Sequence, residues 1–136
     1  MIKGITKTQI EQIIDTDLKK MFHPQAHVTQ EQKDKIKAES MKLADKFEDI
    51  IVEYNTNVFS EDYIDRVLKK IDIFSSSYID IINSVTNKNE ASAIGTIWYG
   101  FFTQAQSELN DNTSDKMIFQ YGERLLNDAL MARIKK

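Results

Sequence analysis

The chain has 136 residues, of which 41% are hydrophobic and 29% charged, with a net charge of −3 and no cysteine. A chain of this length and composition is expected to bury a substantial core within one domain, 1–136, which excludes a disordered protein. The lack of cysteine excludes disulfides, thiolate metal sites and a thiol nucleophile, and it favours the cytoplasm as the compartment.

The chain is not expected to bind a membrane or nucleic acid. Its longest apolar stretch, 93–102, is about half of the roughly 20 residues that span a bilayer, and no secretory signal is visible at the N-terminus. Residues 1–46 carry a net charge of +2 and residues 47–136 one of −5. Neither half has the dense basic patch that phosphate neutralisation requires.

The first helix is predicted to begin at Thr6 or Thr8 and to end at His23. Thr8 and Glu11 have the spacing of a capping box, and the residue before Pro24 is disfavoured in helical geometry. Apolar residues recur between these limits at helical spacing: Ile10, Ile13, Ile14, Leu18 and Met21.

The second helix is predicted to begin after Thr29, which forms another capping box with Gln32, and to fray at 55–57. One continuous heptad stripe is expected to face the core along it. Its members are Ile36, Ser40, Leu43, Phe47, Ile50 and Tyr54.

The third helix is predicted after Ser60, which reads as an N-cap followed by the acids Glu61 and Asp62. It has the most regular stripe of the chain, spaced three, four, three, four. The stripe consists of Ile64, Val67, Ile71, Phe74, Tyr78, Ile81 and Val85.

The fourth helix is predicted after Asn87 or Asn89, with glycines 95 and 100 allowing its neighbours to approach closely. Its stripe comprises Ile94, Ile97, Trp98, Phe101, Ala105 and Leu109. The fifth helix is predicted from Ser114 or Asp115 to near the C-terminus. Its main stripe is Ile118, Tyr121, Leu125, Ala129 and Ala132, and a second stripe is Phe119, Leu126 and Leu130.

These patterns predict an all-α fold, an antiparallel bundle of about five helices with four core helices and a shorter N-terminal one. Because the fifth helix carries two apolar stripes, we expect it to contact two layers or a partner. Five residues are interface candidates on phase and residue type. They are Tyr99, Phe119, Leu126, Leu130 and Ile73.

Metal binding is possible at two places but is not expected at either. His23 and His27 have a spacing that can chelate zinc or nickel on a helix, yet Pro24 places them in a turn. Asp111 and Asp115 resemble the start of a calcium loop that lacks its glycine and its final glutamate. No catalytic, cofactor-binding or metal-binding residue is therefore assigned.

One enzymatic alternative is a metal-dependent, all-helical nucleotide hydrolase, which holds magnesium with carboxylates on adjacent helices. The candidate ligands are Asp45, Glu48, Asp62 and Asp65. Helical phase directs both pairs away from the apolar stripes, so we expect them to face solvent rather than to converge.

A second alternative is an accessory protein that binds nucleic acid through lysines of the second helix, although acids alternate with them. These lysines are Lys33, Lys35, Lys37, Lys42 and Lys46.

The favoured hypothesis is a non-enzymatic interaction or assembly protein that binds itself or another protein through one face of the bundle. No catalytic motif competes with it, and the surplus apolar stripe supports it. The small chain, rich in Lys, Asn and Ile, has the composition of a phage or mobile-element product, such as a virion connector or an inhibitor of a host system.

Overall fold

The computed structural model describes residues 2–3, 5–22, 28–109 and 111–135. These residues form an all-α bundle with six helices and no strand in the described ranges. The helices are α1 (Lys7–Met21), α2 (Gln30–Met41), α3 (Ala44–Asn57), α4 (Tyr63–Ser84), α5 (Lys88–Ser107) and α6 (Thr113–Lys135).

Helix α1 is capped by Thr6 and not by Thr8. The Thr6 hydroxyl accepts the backbone N–H of Gln9, whose side chain in turn accepts the N–H of Thr6. Glutamine therefore closes this capping box in place of the predicted Glu11. The helix ends at Met21, and His23 lies outside the described residues.

The predicted second helix is divided into α2 and α3, which is why the structure has six helices. Its stripe is buried as predicted, from Ile36 to Tyr54. At Lys42 and Leu43 the backbone N–H groups bond to the carbonyls three residues earlier, at 3.3 and 3.1 Å. This tight turn lets α2 pack on α1 and α5 while α3 packs on α4.

Helix α4 begins three residues after the predicted cap. Ser60 lies in the preceding turn, and Asp62 is the N-cap. Among the described residues, no side chain forms a capping hydrogen bond at this end of α4. The predicted stripe is buried except at its first residue, Ile64, which is 37% exposed.

Helices α3 to α6 run alternately up and down, so α4 and α6 are parallel. The Phe47 ring packs on Phe74 of α4 and on Trp98, Phe101 and Phe102 of α5, with centroids 5.4–6.2 Å apart. These rings form the centre of the core.

The second stripe of α6 is buried more deeply than predicted, while of the main stripe only Ile118 is buried. Phe119 and Leu126 are buried, whereas Leu125 is half-buried and Ala132 is exposed. The innermost line of α6 also contains Asp115 and Gly122, two residues that carry no weight in a hydrophobic pattern. The hydrophobic pattern therefore does not identify the side of α6 that faces α5.

Among the helices of the described residues, none combines the length and apolar character of a membrane span.

Candidate protein-interaction surface

The five interface candidates divide into exposed and buried residues. Tyr99 and Ile73 are exposed by 43% and 53%, and Leu130 is half-buried. Phe119 and Leu126 are buried at 0% and 1%. The expectation that these two side chains are available to a partner is therefore wrong.

Phe119 is buried because α6 inserts it between two other helices. Its ring lies 5.9 Å from that of Tyr54 on α3 and 6.3 Å from that of Phe102 on α5, measured between centroids. The contact with two layers expected of the second stripe is thus made within the chain.

The exposed side of α5 is a surface without charge, which we call the α5 ridge. From residue 91 to residue 107 the chain contains no Asp, Glu, Lys or Arg. Depletion of charge is typical of the centre of a protein interface. The ridge consists of the exposed residues Thr96, Tyr99, Gly100, Thr103, Gln104 and Ser107.

Two hydroxyl groups of the ridge are already bonded to their own helix. Thr96 Oγ1 donates to the carbonyl of Ser92 at 2.8 Å, and Ser107 Oγ donates to that of Gln104 at 2.7 Å. Covering the ridge would leave these two donors satisfied, so they add little to the cost of its desolvation.

Gly100 differs from the other described helical glycines because no neighbour among the described residues requires a glycine there. A Cβ built at Gly95 would lie 2.7 Å from Leu130 Cδ2, and one built at Gly122 would lie 2.5 Å from Phe102 Cε1. At Gly100 a Cβ meets nothing within 4 Å. A glycine inside a helix costs about 1 kcal/mol relative to alanine, and here no internal contact compensates. The expected close approach of helices is therefore found at Gly95 but not at Gly100.

Tyr99 borders a hollow between α5 and α6, which we call the Tyr99 pocket, with a volume of about 180 Å³. The pocket brings together three of the five candidates, Tyr99, Leu126 and Leu130, whereas Ile73 lies elsewhere on α4. The nearby carboxylate of Glu123 on α6, as a hydrogen-bond acceptor for the Tyr99 hydroxyl, raises the pKa of Tyr99. The remaining lining residues are Tyr78, Gly95, Thr96 and Asn127.

A larger groove of about 570 Å³ lies on the opposite side of the ridge, between α1 and α5. Ile13, 39% exposed, and Gly100 line it together with the buried Phe101. Asp17 is at its border, where burial raises the pKa of the carboxyl group. The rest of the lining is Lys3, Ile5, Gln9, Gln12, Gln104 and Glu108.

A third hollow of about 490 Å³ separates the parallel helices α4 and α6. Ile64 and Met117, exposed by 37% and 60%, line it. Tyr121 crosses it and donates its hydroxyl hydrogen to Asp72 Oδ1 at 2.8 Å. This bond places a tyrosine hydroxyl and a carboxylate in the hollow between α4 and α6, whereas the exposed residues of the α5 ridge are uncharged.

A buried carboxylate at the start of α6 was missed by sequence reasoning. Asp115 is 0% exposed and accepts hydrogen bonds from the hydroxyls of Tyr54 and Tyr63, both at 2.5 Å, and from Asn112 Nδ2 at 2.9 Å. Asn112 Oδ1 in turn accepts the backbone N–H of Asp115, at 3.1 Å. The spacing of Asn112 and Asp115, a reciprocal cap, was the signal available in the sequence.

Two of the four candidate metal ligands of the hydrolase alternative are engaged in exposed ion pairs, and Glu48 is half-buried. Asp45 pairs with Lys7 at 3.5 Å and Asp62 with Arg66 at 2.9 Å, while Asp65 is exposed. The hydrogen bond from Arg66 lowers the pKa of Asp62. Within the described residues no group of three or more acids or histidines is placed to hold a metal ion. His23 and His27 lie outside the described residues.

Three lysines of the nucleic-acid alternative are paired with acids. Lys37 contacts Asp15 at 3.0 Å, and the two groups link α2 to α1. Lys35 lies 3.5 Å from the buried Glu90, and Lys42 lies 2.9 Å from Glu39. These pairs reduce the positive potential that a phosphate backbone would meet.

No protein-family model, curated protein or solved structure matches this chain.

Proposed function

We propose that this chain is a non-catalytic interaction or assembly protein that binds a helix of a second copy or of another protein along the α5 ridge. The observation that carries the proposal is the exposed, uncharged side of α5, with Tyr99 and the internally unneeded Gly100 at its middle. We include in this proposal an origin in a phage or mobile element, as a virion component or an inhibitor of a host system, which only the composition supports.

Three properties of the ridge support binding of a protein helix. Tyr99 is an exposed aromatic side chain, the kind of residue that anchors the centre of an interface. Gly100 lets a second backbone approach closely. The hollows on either side, the Tyr99 pocket and the α1/α5 groove, can receive side chains from both flanks of an amphipathic helix.

Introducing charge on the ridge tests the proposal. Thr103 lies in the ridge and is exposed, so Thr103→Lys should leave the fold intact while placing a cation at the centre of the contact. Sedimentation velocity of the purified chain should show a concentration-dependent dimer that the variant loses. If the wild-type chain is a monomer, the same variant should fail to retain the protein that the wild-type chain retains from its native lysate.

Thr56→Lys, at an exposed position near the end of α3, is the matched control and should behave as the wild-type chain does. At least tenfold weaker association for Thr103→Lys, with an unchanged helical spectrum, supports the proposal. Equal association of both variants would overturn it, as would a monomeric wild-type chain that retains no protein.

A further inference from the structure

The Tyr99 pocket contains a polar group that the fold leaves unused. The side chain of Tyr78 is 0% exposed, and its hydroxyl has no hydrogen-bond partner among the described residues. A buried hydroxyl without a partner costs about 1–3 kcal/mol. Burial also raises the pKa of Tyr78, so the group remains a protonated donor at neutral pH.

Gly95 leaves space for this hydroxyl. A Cβ on Gly95 would lie 2.8 Å from Tyr78 Oη and 2.7 Å from Leu130 Cδ2, so the absent side chain leaves room for the hydroxyl and for the methyl group of Leu130. Leu130 is half-buried and lines the pocket. Because Tyr78 is 0% exposed, a molecule in the pocket reaches its hydroxyl only if a lining side chain such as Leu130 moves aside.

The geometry points to a binding site for a small neutral molecule, an aromatic ring with one hydrogen-bond acceptor, which occupies the Tyr99 pocket and accepts the hydrogen of Tyr78. The pocket lining contains no charged residue, which disfavours an ion. The pocket opens to solvent, and its volume of about 180 Å³ leaves room for one ring, since a closed apolar cavity of roughly 150 Å³ holds benzene. Binding of this molecule needs no protein partner, and its failure would leave the α5 ridge proposal standing, although a helix bound to the ridge would compete for the same pocket.

Titration with three probes of similar size tests this site: phenol, benzene and benzoate. Amide signals of Gly95, Thr96 and Asn127 are followed by nuclear magnetic resonance in the full chain. Phenol should shift these signals and bind at least about fivefold more tightly than benzene, the ratio that one net hydrogen bond gives. Benzoate should not bind.

Substitutions identify the group responsible. Tyr78→Phe should abolish the preference for phenol over benzene, and Leu130→Ala should increase the affinity for phenol by uncovering the hydroxyl. Tyr121→Phe, at a tyrosine outside this pocket, should keep the wild-type preference. No shift of the pocket amides at millimolar phenol, or an unchanged preference in Tyr78→Phe, would overturn the proposal.

Discussion

The ring of Phe102 occupies the space that a side chain at Gly122 would need. A Cβ on Gly122 would lie 2.5 Å from Phe102 Cε1 and 2.8 Å from Cδ1, and Phe102 itself is fully buried among other rings. This contact sets how closely α5 approaches α6.

Gly122→Ala should therefore destabilise the protein, even though alanine favours the helix. Because the buried ring cannot yield without disturbing its neighbours, we expect a net loss of about 1–3 kcal/mol in the free energy of unfolding. Urea denaturation followed by circular dichroism measures the loss. Stability equal to that of the wild-type chain would show that the α5–α6 contact adapts.

Gly100→Ala is the matched substitution on the other side of α5 and should have the opposite sign. No atom lies within 4 Å of the added methyl group, so the gain in helix propensity should stabilise the fold by about 0.5–1 kcal/mol. If the ridge binds a helix closely, the same variant should weaken association in sedimentation. A destabilised variant would contradict the open environment of this glycine.

Stability should fall at alkaline pH through the tyrosines. Burial and the hydrogen bond to Asp115 raise the pKa of Tyr54 in the folded state, and the bond to Asp115 raises that of Tyr63. The unfolded chain releases these protons near pH 10, so their contribution is fully present below that pH and is lost as the pH rises above it. Urea titrations between about pH 8 and 11 should show this loss.

Tyr54→Phe isolates the effect, since it removes one titrating group and one bond to Asp115. The variant should be less stable at neutral pH and should lose stability less steeply above pH 10 than the wild-type chain. Equal slopes in the two proteins would contradict the coupling between Tyr54 and Asp115.

The two asparagines at the start of α5, Asn87 and Asn89, should differ in their effect on stability. Asn87 Oδ1 accepts the backbone N–H of Glu90 at 2.8 Å, so Asn87→Ala should cost about 1 kcal/mol. Asn89 lies inside the first turn and is exposed, and Asn89→Ala should change stability by less than about 0.5 kcal/mol. Thermal unfolding of both variants compares them, and an equal loss would exclude Asn87 as the cap.

The sequence was sufficient for the fold class because long apolar stripes recur at helical spacing. The stripe from Ile36 to Tyr54 is buried, yet the turn at Lys42 and Leu43 has no glycine or proline to announce it. It follows from packing against two different sets of helices, which a local pattern does not record. The start of α1 at Thr6 rather than Thr8 has a local cause, the capping box that Thr6 forms with Gln9.

The candidate surface was predicted in part. Tyr99 was identified because it lies off the apolar stripe of its helix, and its exposure agrees with that phase. Phe119 and Leu126 were misplaced because Gly122 and Asp115, on the same side of α6, concealed the deepest stripe. The unpartnered hydroxyl of Tyr78 depends on distances between three helices and has no signature in the sequence.

Arg133 couples the opening of the C-terminal end of α4 to that of α6. Its guanidinium donates to the carbonyls of Ile82 and Val85, at 2.9 and 3.2 Å, and so completes the C-terminal end of α4 from the last turns of α6. The final turn of α4 thus depends on a residue about fifty positions later in the chain. Fraying of α6 therefore exposes both segments together, and their amide hydrogens should exchange as one cooperative unit.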